Sequence, residues 1–148
     1  MPELPEVETT ARGIAPTVTN QIITETIVRH PTLRWPISKE ISDTLPGQKV
    51  QSVTRRSKYL LLNTAKGTVI IHLGMSGCLR ILPLNTAPNK HDHVDFIVNN
   101  HILRYTDPRR FGAILWTDNL IEHPLFTKLG PEPLSRAFNA DYLYQQSR

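Results

Sequence analysis

At 148 residues the chain has the size of one ordinary domain, large enough to bury a core without disulfides or a structural metal. Cys78 is its only cysteine, which excludes an internal disulfide framework and a four-cysteine zinc site built from this chain. Net charge is +4 with a pI near 9.5, no run approaches the roughly twenty apolar residues of a membrane helix, and the acidic start does not read as a secretory signal, so a soluble protein of the reducing cytoplasm is expected.

The positive charge is unevenly spread. Residues 1–48 carry four basic and six acidic side chains, residues 49–110 ten and three, and residues 111–148 three and four. Folded onto one face, the middle block would attract a polyanion and release its counterions, and nucleic acid is the natural candidate. An ordinary solvated surface is the plainer reading; the clusters Arg55-Arg56-Ser57-Lys58 and Arg109-Arg110 favour the polyanion.

Pro5 suits the first turn of a helix, Glu6 and Glu8 lie near its positive end, and Val7 and Ala11 are one turn apart, which predicts a helix over about residues 5–13, ended by Gly13 and Pro16. From residue 21, short runs of Ile, Val, Leu and Thr broken by Gly, Pro and Asn predict strands near 21–30, 49–64, 67–73, 78–83, 93–99, 101–106 and 112–117. Asn99-Asn100 separates two of these runs, and asparagine tolerates the positive φ of a two-residue turn, so an antiparallel hairpin is expected there. Strands this numerous and this closely linked predict a mainly β fold with flanking helices, an antiparallel β-sandwich or barrel-like domain. Gly130-Pro131-Glu132-Pro133 reads as a connector and residues 139–146 as helical, dividing the chain into a domain over 1–133 and a helix or linker over 134–148.

Pro2 is an unremarkable residue by itself. If Met1 is removed, however, it becomes a secondary amine of low basicity, able to attack a sugar C1′ or a carbonyl and form an iminium. Glu3 would stand beside that amine as proton donor or acceptor, or simply as a carboxylate at a helix N-terminus. Lys58 lies between a basic cluster and the apolar run Leu60-Leu61-Leu62, where it is either a phosphate clamp or a general acid.

Five stretches carry more than their parts: residues 1–9 (MPELPEVET), 55–62 (RRSKYLLL), 72–77 (HLGMSG), 90–95 (KHDHVD) and 104–112 (RYTDPRRFG). In this order they resemble formamidopyrimidine-DNA glycosylase, the bacterial 8-oxoguanine repair family, and the likeness runs from end to end of the chain, including residues 129–134 (LGPEPL). The resemblance implies base-excision repair of damaged double-stranded DNA by a bifunctional glycosylase and lyase. Pro2 would attack C1′, Glu3 would protonate the opened sugar, Lys58 would assist strand elimination, and Glu6 would order the nucleotide pocket.

The same likeness assigns DNA contacts to His91 and Arg109 and gives Met75, Arg109 and Phe111 the task of filling the gap left by a flipped base. Taken singly, Met75 and Phe111 would read as core. His91 and His93 suggest a metal pair, but no further ligand has suitable spacing, so no metal is expected. The family implies no cofactor in this chain, one zinc in a C-terminal domain beyond it, no obligate protein partner, no membrane and a bacterial cytoplasmic location. On this likeness the chain stops before a helix–two-turns–helix segment and a zinc finger, which should weaken DNA binding and turnover. A non-catalytic DNA-binding fragment is the alternative, and a tautomerase using its terminal proline is a more distant one.

Overall fold

The computed structural model describes residues 4–74 and 77–118, with side chains from Val7 onward. It opens on α1 (Leu4–Val18), in which Val7, Ala11, Ile14 and Val18 fall on one stripe and are buried. Their spacings of four, three and four residues stack them over successive turns, so one face of the helix seals a core. The expected end at Gly13 and Pro16 is overridden. Gly13 faces open space, Pro16 sits in the last turn where its missing N–H forfeits a single helical bond, and Ile14 and Val18 gain burial by continuing.

Next come β1 (Ile23–Val28), a short helix α2 (Glu40–Asp43), β2 (Ser52–Arg56), β3 (Tyr59–Asn63), β4 (Thr68–His72), β5 (Cys78–Pro83), β6 (Asp92–Val98), β7 (His101–Thr106) and β8 (Ala113–Thr117). Two four-stranded antiparallel sheets result, in the orders β1-β6-β7-β5 and β2-β3-β4-β8. Leu60 and Leu62 of β3, Val69 and Ile71 of β4, Val94, Phe96 and Val98 of β6 and the buried face of α1 belong to one apolar cluster. Alternate residues of both sheets therefore share a core, as a sandwich requires.

The run at 49–64, expected as one strand, is two. Ser57 adopts φ 53°, Arg56 pairs with Tyr59, and the chain reverses over Ser57-Lys58 alone. The Asn99-Asn100 turn forms as expected, with φ of 51° and 59° between the paired residues Val98 and His101. Helix α2 was not anticipated, because four residues are too few for a periodic signal; it forms where Ile41 buries completely. The expected boundary at 133/134 and the helix at 139–146 lie outside the described residues.

On the outer face of the first sheet, Arg104 is buried and makes a two-pronged bond to Asp95, its register partner, at 2.9 and 3.0 Å. It also donates to the carbonyls of Thr86 and Ala87, both at 3.0 Å, and lies 3.6 Å from Asp92. Asp92 in turn accepts from the Asn89 amide and the Thr106 hydroxyl. The loop before β6, which carries Lys90 and His91, is thus tied down from both ends.

Candidate nucleic-acid interface

Lys58 occupies the two-residue turn between β2 and β3, half-buried, and its charge bears on His72 at the end of β4. His72 is 5 % exposed, pairs with Ala113 of β8, and sets its ring 5.3 Å from that of Tyr59. Burial first, then the positive charges of Lys58 and Arg34, push its pKa down to about 4, against a smaller opposite pull from Asp107. At neutral pH the ring is therefore uncharged. Because the folded value lies below the ordinary 6.5, protons favour the unfolded chain, so the contribution to stability is complete above pH 6.5 and lost as pH falls toward 4. Burial also lowers the pKa of His93, which adds to the loss in the same direction. The urea midpoint should fall between pH 7 and pH 4, and His72→Gln should remove up to about 3 kcal/mol of that dependence.

The second component is the loop between β7 and β8. The carboxylate of Asp107, 0 % exposed, accepts from the amide of Arg110 at 3.0 Å, the amide of Gly112 at 2.9 Å and the hydroxyl of Tyr105 at 2.9 Å. Arg110 is held at φ 57°, an uncommon conformation for a residue with a side chain. The loop consequently turns its polar backbone inward, while Arg109, Arg110 and Phe111 point outward, Phe111 with 47 % of its surface exposed.

Gly74, at φ 67°, packs so closely that an added Cβ would lie 2.7 Å from the Gly112 nitrogen and 2.8 Å from the Phe111 carbonyl carbon. A Cβ on Gly112 would overlap the Tyr105 hydroxyl and the His72 carbonyl oxygen. Since neither obstacle is the free end of a flexible chain, Gly112→Ala should cost about 3 kcal/mol, read as a lower midpoint in urea unfolding.

Between these components lies a cavity of about 550 Å³, whose walls include Leu33, Arg34, His72, Gly74, Arg109 and Phe111. Arg34 donates its amide to the Gly112 carbonyl and lays its guanidinium 5.0 Å from the Trp35 ring centroid. Cations and an exposed aromatic ring around an open, partly apolar hollow suit a phosphate backbone and an unstacked base. His93 has a different role: its Nε2 lies 2.7 Å from the Asp107 carbonyl and its ring is edge-on to His30. Among the described residues no three His, Cys, Asp or Glu side chains gather as a metal site.

Residues 1–114 match the family model for the formamidopyrimidine-DNA glycosylase N-terminal domain. The chain belongs to this family. It is 58 % identical over 149 residues to the formamidopyrimidine-DNA glycosylase of Haemophilus influenzae (strain PittEE), spanning 100 % of this chain and 55 % of that protein. The corresponding Stenotrophomonas maltophilia (strain K279a) protein is 53 % identical over the same shares. The chain thus spans about half the length of the curated relatives it matches. Among solved structures, the Lactococcus lactis enzyme non-covalently bound to DNA with an AP site superposes with a TM-score of 0.78 at 31 % identity, over 91 % of this chain and 53 % of that one. The same enzyme in complex with DNA containing FAPY-dG gives 0.79 at 31 % identity, over 93 % and 53 %.

For a formamidopyrimidine-DNA glycosylase domain, the expected site residues divide into three groups. Arg109 and Phe111 share the cavity rim, Lys58 acts on the same His72, and His91 joins them through its carbonyl, which accepts the Asp107 amide at 3.0 Å. Glu6 falls in the first turn of α1, though its side chain lies outside the described residues, as do Pro2, Glu3 and Met75 altogether. His72, Arg34, Tyr105 and Asp107 were missed. His72, Tyr105 and Asp107 lie within the stretches that carry the likeness and Arg34 lies outside them, but a histidine in an apolar strand and an aspartate before proline read as ordinary strand and turn residues.

Proposed function

We propose that this chain is the catalytic N-terminal domain of a bifunctional DNA glycosylase and AP lyase that removes 8-oxoguanine and formamidopyrimidines from duplex DNA. Once Met1 is removed, the Pro2 nitrogen attacks C1′, the bond from C1′ to the damaged base breaks, and the base leaves with a proton. Glu3 protonates the ring oxygen as the sugar opens to an iminium. The iminium acidifies the C2′ proton; its loss expels the 3′-phosphate, and a second elimination expels the 5′-phosphate. Lys58 assists these eliminations, and water then releases Pro2. Glu6 orders the nucleotide pocket.

Duplex DNA hides the base, so the reaction requires it to be flipped out. Met75 and Phe111 fill the vacated space, while Arg109 bonds the estranged cytosine and His91 the backbone. The observation that carries this reading is the joint placement of His72, Arg34, Arg109 and exposed Phe111 around one hollow, with the charge of Lys58 bearing on His72. The proposed setting is the bacterial cytoplasm, with damaged DNA as the partner. Borohydride reduction in the presence of abasic-site DNA tests the reading: a covalent adduct supports it, whereas tight binding without an adduct replaces it with a non-catalytic DNA-binding module.

A further inference from the structure

Two loops proposed to enter DNA meet at one point. Leu73 and Gly77, joined by the Gly77 amide donating to the Leu73 carbonyl at 2.8 Å, bracket Met75 in the sequence, and the loop at 107–112 carries Arg109 and Phe111. Tyr105, buried at the end of β7, donates its hydroxyl to Asp107 Oδ2 at 2.9 Å, with the His72 carbonyl oxygen 3.3 Å away at the end of β4. Cβ atoms placed on Gly77 and on Gly112 would both crowd this hydroxyl. Asp107 spans its own loop by accepting the Arg110 and Gly112 amides, and its backbone amide donates to His91. Burial and the Asp107 charge push the Tyr105 pKa up, so the phenol remains a donor.

We propose that Tyr105 and Asp107 are positioning residues that lock the two DNA-entering loops together before DNA arrives, thereby setting the preference for cytosine opposite the lesion. This inference rests on the functional reading above, since it presumes that Arg109 addresses the estranged base. Asp107 is fully buried. It acts through Arg110 and Gly112, whose amides fix the path of the chain on both sides of Phe111. A loop fixed in advance loses less entropy on insertion and presents Arg109 in one orientation, and such an arrangement discriminates between opposing bases.

The test compares the parent chain with Asp107→Ala and Tyr105→Phe on duplexes carrying a tetrahydrofuran abasic analogue opposite cytosine or opposite adenine, and on an undamaged duplex. The parent should prefer cytosine. Asp107→Ala should lose that preference, with affinity for the cytosine duplex down about tenfold and affinity for undamaged DNA, held by phosphate contacts, changed less than about twofold. Tyr105→Phe should fall between them. General loosening of the domain would lower all three affinities together.

Amide exchange without DNA gives a second measurement. Protection at Arg110 and Gly112 should fall at least about tenfold in Asp107→Ala while that at Leu103 in β7 holds. If Asp107→Ala fails to fold, Asp107→Asn serves instead, because its carboxamide gives up one acceptor oxygen at similar volume. A folded variant that keeps the parent's cytosine preference, or its exchange protection at Arg110 and Gly112, overturns the proposal. A parent with no cytosine preference defeats the wider functional reading instead, and the exchange result then decides whether Asp107 anchors the loop.

Discussion

A preparation that keeps Met1 is expected to give no borohydride-trapped adduct with abasic-site DNA, whereas the same chain with Met1 removed gives one. The difference is chemical. Behind Met1, the Pro2 nitrogen is a tertiary amide whose lone pair is delocalised into the carbonyl; once freed, it is a secondary amine whose unprotonated form has a lone pair available for attack. Removing a nucleophile outright typically costs several orders of magnitude, so adduct formation should drop by at least about a thousandfold. Intact mass measured on each preparation fixes which terminus is present. A strong adduct from chains proven to retain Met1 removes Pro2 from the mechanism.

Arg104→Ala is expected to be the most damaging single change among the described residues to stability. The substitution leaves Asp95 and Asp92 buried near the former guanidinium and frees the carbonyls of Thr86 and Ala87 that the arginine had tied down. Breaking a buried ion pair from one side costs about 3–5 kcal/mol, roughly a 10 °C fall in Tm for a domain of this size. Arg29, 2.9 Å from Asp95, limits the damage to that carboxylate and not to Asp92. Scanning calorimetry measures the fall, and a change under about 1 kcal/mol contradicts the proposed weight of the network.

Acid should expose the same network. Burial alone would raise the pKa of Asp95, but hydrogen bonds and charge from Arg104 and Arg29 outweigh it and hold the carboxyl below the ordinary 3.8. For Asp92 the opposing contributions come from the Asn89 amide, the Thr106 hydroxyl and Arg104. Both contributions to stability are complete above the ordinary value and fade below it, at more acid pH than the histidine effect.

The fold was readable where one local rule governed. Asn99-Asn100 announced its hairpin because asparagine accepts positive φ at little cost, and the start of α1 was visible in Pro5 and the Val7/Ala11 spacing. Local rules failed where packing outweighed them. Pro16 did not end α1 because Ile14 and Val18 had a core to enter, and Ser57 broke the run at 49–64 although serine is a weak turn signal.

The site shows the same division. Lys58, Arg109 and Phe111 stand out as charge or aromatic surface in a basic segment. His72 and Asp107 act through burial and through bonds to distant backbone, which no spacing along the chain encodes. Asp107 is the clearer case: its partners Arg110 and Gly112 are close in sequence, but the importance of the loop depends on Gly74, in the connection from β4 to β5, packing against it.

On the proposed reading the terminal imino nitrogen, rather than Lys58, forms the covalent bond to DNA. Tryptic digestion of the borohydride-trapped complex, followed by mass mapping, tests it most directly because the two amines fall on different peptides. The adduct mass should appear on residues 2–12 and leave residues 57–66, which contain Lys58, unmodified. Adduct on residues 57–66, with residues 2–12 recovered at their free mass, contradicts the claim.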